Sequence, residues 1–238
     1  MNEKKDFRLY AQKRVGFPPR SILQNTFPRI LADLQPPPRN FRVVEFGFSH
    51  GNDARYMIGT LQNVSGIQNW EYWGFDHEDY FCPQFLLDGC GKDIRKKIHL
   101  VPCLFERIAS GRQAFPDKID LFYASKSLSL CDKDLFPDLL HVICAHISPG
   151  GSFVGTFHLN GASQNHFWTI QDYLRMFFSE ANGAGPVFKG FSTEYAVHEQ
   201  QQTFACFSKK TGNTSIKRAA EIIADRSDHA YAEASHGE

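Results

Sequence analysis

The chain has 238 residues, enough for one domain with a substantial core, and its 42% hydrophobic and 22% charged content is that of an ordinary globular protein. Lys plus Arg equal Asp plus Glu at 26 each, so no overall field gathers nucleic acid or an acidic membrane surface, and only a local basic patch would do so. Cys82, Cys90, Cys103, Cys131, Cys144 and Cys206 form no Cys-x-x-Cys pair, and no histidine pair stands at a metal-site interval. This fits free thiols in a reducing compartment and no metal. No apolar run approaches the roughly 18 residues of a membrane span, and no signal core follows Met1, so a cytoplasmic protein outside the membrane is expected.

Residues 1–40 read as an N-terminal helical extension. Between Ser21 and Leu34, the apolar Ile22, Leu23, Phe27, Ile30, Leu31 and Leu34 recur at helical intervals, with Ser21 placed to cap the helix and Pro36-Pro37-Pro38 to end it. The stretch from Arg42 to Met57 then reads as a buried strand, a tight turn and a helix start. Small residues stand at alternate positions, Gly47, Ser49 and Gly51, and Glu45 ends the strand. A dinucleotide loop requires Gly-x-Gly-x-x-Gly; here a carboxylate beside the loop repels pyrophosphate and suits an ammonium group instead.

A second strand, Glu71 to Phe75, ends at Asp76, where a carboxylate can accept both hydroxyls of a ribose diol; Glu78 is the fallback. Residues 81–97 read as helix then loop, and a third strand begins at Ile98 and runs on toward Glu106. Strand four begins at Ile119. A helix over 133–147 is stopped by Pro149, and Gly150-Gly151 supply left-handed geometry before strand five. Thr169 and Asp172 are spaced as a capping box for a helix over 170–180. Two strands, 193–200 and 202–209, read as a closing antiparallel pair. The segment 211–238, with an amphipathic stretch from Ile216 to Ala224, reads as a mobile, partly helical tail.

The turn Glu45-Phe46-Gly47-Phe48-Ser49-His50-Gly51 resembles motif I of the class I S-adenosylmethionine-dependent methyltransferases, Asp/Glu-x-Gly-x-Gly-x-Gly, with Ser49 in place of the central glycine. Strand four and its exit, Ile119 to Cys131, together with the Pro149-Gly150-Gly151 turn, are similar to the small bacterial tellurite-resistance-type methyltransferases. The resemblance spans roughly residues 40–210. It implies an α/β, doubly wound (Rossmann-like), seven-stranded and mostly parallel sheet with an antiparallel last strand in a three-layer sandwich. It also implies a methyltransferase domain over 41–210.

The cofactor so implied is S-adenosyl-L-methionine. Glu45, Phe46, Gly47, Phe48, Ser49, Gly51, Asp53, Asp76, His77, Leu104, Phe105, Ala124 and Ser125 would hold it. Leu104 stands where many such enzymes have an acid for the adenine amino group, so apolar contact from Leu104 and Phe105 is expected there. Tyr123, Lys126 and His158 are the catalytic candidates, and Tyr10, Arg14 and Asn160 the substrate candidates. His158 and Asn160 occupy the place of the relatives' Gly-Asp-Arg-Asp-Ser-Trp. Pro102-Cys103 matches the nucleophile dipeptide of cytosine C5 methyltransferases, which carry it after strand four rather than strand three. The implied function is methyl transfer to a small-molecule acceptor. A non-catalytic cofactor-binding partner, or a protein or nucleic-acid methyltransferase, remains open, and the oligomeric state is not read.

Overall fold

The computed structural model describes residues 18–34, 40–78, 81–132, 134–159, 169–179, 186–198 and 202–219; Tyr10, Arg14 and Asn160 lie outside them. Eight strands form one sheet in the order β3-β2-β1-β4-β5-β7-β6-β8. The strands are β1 (Asn40–Phe46), β2 (Asn69–Asp76), β3 (Ile98–Pro102), β4 (Ile119–Ser125), β5 (Ile147–His158), β6 (Phe191–His198), β7 (Thr203–Lys210) and β8 (Ser215–Arg218). The first five pair in parallel, and β7 runs antiparallel between β5 and β6. This is the expected doubly wound sheet with one strand more than seven. The addition, β8, pairs in parallel with β6, so residues 215–218 are extended where the amphipathic pattern suggested helix.

Side chains alternate between the two faces of each strand, and this period separates two cores. Phe41 and Val43 of β1 join Tyr72, Leu121, Tyr123 and Val154 on one face, covered by α1 (Ser21–Ala32) and α2 (Asn52–Asn63) through Ile22, Leu23, Phe27, Met57 and Leu61. Val44 and Phe46 join Phe75, Phe122, Phe153 and Phe157 on the other. The short helices α3 (Gln84–Leu87) and α4 (Lys92–Arg95) precede β3. The second face is covered by α5 (Phe105–Ala109), α6 (Phe136–His146) and α7 (Ile170–Phe178). Most of the described phenylalanines are core. Phe157, fully buried, touches the rings of Phe136, Phe153, Tyr173, Phe177 and Phe204 at centroid distances of 5.1–6.4 Å.

Three local expectations are corrected. Arg20, not Ser21, is the N-cap of α1, and Ser21 is already helical. Helix α6 ends at His146, ahead of Pro149. Of the two turn glycines only Gly150 is left-handed, at φ 82°, whereas Gly151 is glycine because a Cβ there would stand 2.7 Å from the Ile119 carbonyl oxygen. The Thr169 cap is as expected: its hydroxyl accepts from the Asp172 N–H at 3.2 Å, and the Asp172 carboxylate accepts from the Thr169 N–H at 2.9 Å.

Phe157→Ala should destabilise the protein by about 3–5 kcal/mol, because five ring contacts are lost and a cavity is left among rigid neighbours. Urea unfolding should show this as a lower midpoint at an unchanged slope.

Candidate active site

The loop between β1 and α2 lies at the carboxyl ends of the central strands, where an open parallel sheet reverses its winding and leaves a crevice. Gly47, Ser49 and Gly51 have φ values of 74°, 47° and 75°. Ser49 therefore holds the left-handed conformation that a glycine adopts more easily, and the loop keeps its course without the central glycine. Its N–H donates to Asp76 Oδ2 at 2.8 Å, and the His77 N–H donates to Asp76 Oδ1 at 2.9 Å. Asp76 thus ties the loop to the end of β2, with lone pairs remaining for a ligand hydroxyl. The fallback Glu78 is exposed and engaged with Arg107 Nη1 at 2.7 Å.

Glu45 is 2% exposed and stands in register between Tyr123 of β4 and Gly74 of β2. Its Oε2 accepts from the Tyr72 hydroxyl at 2.5 Å. Burial raises the Glu45 carboxyl well above its usual range, and the Asp53 charge adds to this. Burial also raises Asp76 from 3.8 to about 7, against the opposing hydrogen bonds of Ser49 and His77. Asp53, in the first turn of α2, accepts at Oδ2 from the Tyr123 hydroxyl at 2.8 Å and at Oδ1 from the Arg20 N–H at 2.8 Å, with Arg20 Nε 3.6 Å from Oδ2. Three acids therefore crowd one place with a single guanidinium among the partners named, and a cationic ligand there offsets the burial and repulsion that raise Glu45 and Asp76.

The other side of the crevice comes from β4 and β5. Ser125 Oγ and Thr156 Oγ1 are 3.0 Å apart, and the Lys126 N–H donates to the Thr156 carbonyl at 2.9 Å, with Lys126 at φ 60°. His158 is half-buried at the end of β5; its N–H donates to Ser129 Oγ at 3.0 Å, and its carbonyl accepts from the Tyr173 hydroxyl at 2.9 Å. Burial, with Lys126 and then Arg20 nearby, lowers the imidazole to about 4. Ser127 Oγ donates to the Phe46 carbonyl at 2.5 Å.

Some expected contacts are occupied otherwise. Phe46 and Phe105 stack on each other in the core with centroids 4.6 Å apart, and Ala124 is fully buried in the same cluster, so their side chains belong to the core. Phe48 is buried edge-on to Phe81 at 5.8 Å. Leu104 is partly exposed after β3 and His77 after β2. Cys103 is buried and its thiol is pushed up to about 11, so it is protonated at neutral pH and does not act as a nucleophile. Among the described residues no three His, Cys, Asp or Glu side chains gather to hold a metal, and no helix is long and apolar enough to cross a membrane.

Arg20, Tyr72, Ser127 and Thr156 were not anticipated. Alternation along β2 puts Tyr72 on the same sheet face as Glu45, a signal the sequence carries; nothing local marks Arg20.

No family model and no curated protein matches the sequence. In structure the chain is similar to the plantazolicin methyltransferase BamL, crystallised with a triazolic desmethylPZN analog and SAH, at TM-score 0.58 and 12% identity over 87% of this chain and 91% of that one. It is also similar to a TehB-like SAM-dependent methyltransferase from Corynebacterium glutamicum ATCC 13032 Kitasato, at TM-score 0.56 and 14% identity over 88% and 98%. The fold is that of the class I methyltransferases. Against the larger CurJ carbon methyltransferase, at TM-score 0.49 and 12% identity, this chain spans 50% of that chain's length. Within the methyltransferase fold, the Gly47–Gly51 loop, Glu45 and Asp76 stand at the ends of β1 and β2, where the sequence motif placed them.

The folded value of Asp76, about 7, lies above its unfolded 3.8, so the folded chain holds this proton more tightly. Its contribution to stability is full below 3.8 and is lost as pH rises to about 7. Relative to Asp76→Asn, the wild type should lose stability across that window and stay level above it, as read from urea midpoints. A difference that does not change with pH would show that Asp76 is ionised throughout.

Proposed function

We propose that the chain is an S-adenosylmethionine-dependent methyltransferase acting on a small-molecule acceptor. The observation that carries this reading is the pairing of Glu45 and Asp76 around a loop that keeps left-handed geometry at Gly47, Ser49 and Gly51, set in a methyltransferase fold. The donor set matches the cofactor's chemistry. Glu45 offers a buried carboxylate for the ammonium group, Asp76 offers lone pairs for the ribose diol, and loop and α2 N–H groups offer donors for the carboxylate. Leu104 supplies the apolar contact for the base. When bound, the cofactor supplies an electrophilic methyl group on a strong leaving group.

The protein's part is then binding and alignment more than covalent chemistry. Tyr72 holds Glu45 through its hydroxyl, and Asp53 holds Tyr123 and the start of α1, so the walls of the crevice are fixed before any ligand arrives. The balanced overall charge supports a small acceptor over nucleic acid. Ser49, whose presence motivates a non-catalytic reading, keeps the turn and so supports an intact loop.

Calorimetric titration should show saturable binding of both S-adenosylmethionine and S-adenosylhomocysteine. Glu45→Ala should abolish it, and Asp76→Ala should weaken it about tenfold or more, as expected for loss of a hydrogen bond to a charged group. Absence of binding by the folded wild type would overturn the assignment, and unchanged affinity in Glu45→Ala would overturn the site.

A further inference from the structure

Within the sheet, Glu45 is flanked in register by Tyr123 of β4 on one side and by Gly74 of β2 on the other. Tyr123 spends its hydroxyl on Asp53 at 2.8 Å. Gly74 leaves its place open, and the ring of Tyr72, two residues earlier on the same face of β2, uses the room. A Cβ on Gly74 would stand 3.0 Å from Tyr72 Cε1 and 2.9 Å from both Phe48 Cδ1 and Leu100 Cδ2. Tyr72 pairs in register with Val43, and its side chain passes along the strand from there to Glu45, whose Oε2 accepts from the Tyr72 hydroxyl at 2.5 Å. Among the described residues this is the one hydrogen bond to the Glu45 carboxyl.

We propose that Tyr72 is a positioning residue for the cofactor's ammonium group: its hydroxyl keeps Glu45 in the charged, acceptor-only form and fixes one of the two carboxylate oxygens, leaving the other for that group. The inference rests on the methyltransferase reading and adds the residue that sets the charge of the ammonium partner. Tyr72 acts through Glu45 and bears on the amino-acid end of the cofactor, not on its nucleoside end.

The other surroundings of Glu45 work mostly the opposite way. Burial favours the neutral acid first, and the charges of Asp53 on α2 and Asp76 at the end of β2 add to it. Tyr123 gives its proton to Asp53, and the Arg20 N–H at the start of α1 is likewise bonded to Asp53. Of the two groups that favour the carboxylate, Tyr72 and Arg20, the Tyr72 hydroxyl acts more strongly. Burial also holds the phenol's own proton well above its usual range, so the hydroxyl stays a donor. A phenylalanine there keeps the ring and its packing but lets Glu45 take a proton more readily. The neutral acid then meets the ammonium group without the charge that makes such a bond strong.

Calorimetry on the full chain tests this with two ligands. S-adenosylhomocysteine carries the ammonium group, whereas methylthioadenosine keeps the nucleoside and thioether and lacks the amino-acid part. At about pH 6, Tyr72→Phe should weaken S-adenosylhomocysteine about tenfold, the effect of about one unit in the proton affinity of the carboxyl, and leave methylthioadenosine within about twofold. The gap between wild type and variant should narrow to about threefold or less by about pH 9, where Glu45 ionises without the hydroxyl; titration of the ligand's own ammonium group cancels in this ratio. A packing role alone would weaken both ligands alike and at every pH. The proposal is overturned if Tyr72→Phe binds S-adenosylhomocysteine as tightly as the wild type, if it weakens methylthioadenosine by the same factor or binds neither ligand, or if the gap is the same at both pH values. Failure of the wild type itself to bind S-adenosylhomocysteine overturns the methyltransferase reading instead.

Discussion

The site depends on how closely the end of β1 meets the exit of β4. A Cβ on Gly47 would stand 2.4 Å from Ser127 Cβ, so no side chain fits there, and Ser127 Oγ instead donates to the neighbouring Phe46 carbonyl. This contact joins the cofactor-type loop to the turn that carries Lys126. A left-handed residue stands on each side of this contact, Gly47 just after β1 and Lys126 just before Ser127, where each strand end turns sharply.

A second tier of order comes from hydroxyl groups. Tyr72 and Tyr123 are fully buried with high-lying phenols, so both remain donors, and each spends its proton on a carboxylate: Tyr72 on Glu45 and Tyr123 on Asp53. Buried acids without such donors would be costly. Through Asp53 the arrangement reaches Arg20, so the N-terminal helix is tied to the motif loop by a side chain and not only by apolar contact.

Much of this was legible in the sequence. The small residues at 47, 49 and 51, the acid before them and Asp76 mark the loop, because backbone geometry and charge at a turn leave few alternatives of residue type. Strand positions and the Thr169 cap are readable for the same local reasons. What is not local is not readable. Arg20 meets Asp53 only because α1 folds back across the sheet, and Ser127 matters only once two strands far apart in sequence become neighbours. Phe46 and Phe105 were expected at the ligand because motif position says nothing about side-chain direction; alternation along β1 turns Phe46 into the core, and Phe105 follows it. The strand at 215–218 was hidden because four exposed residues have no apolar period to show, and it forms by pairing with β6.

The placement of β7 between β5 and β6 has a consequence for biosynthesis. β6 is made before β7 but has no neighbour in the rest of the sheet until β7 arrives, and β8 is attached only through β6. While the chain is still emerging from the ribosome, the first five strands can assemble, but β5 must present an open edge of unpaired amides and carbonyls, flanked by Phe153 and Phe157. The nascent chain is then most exposed to aberrant pairing in the interval before residue 203, and the sheet closes only once β7 and β8 have been made.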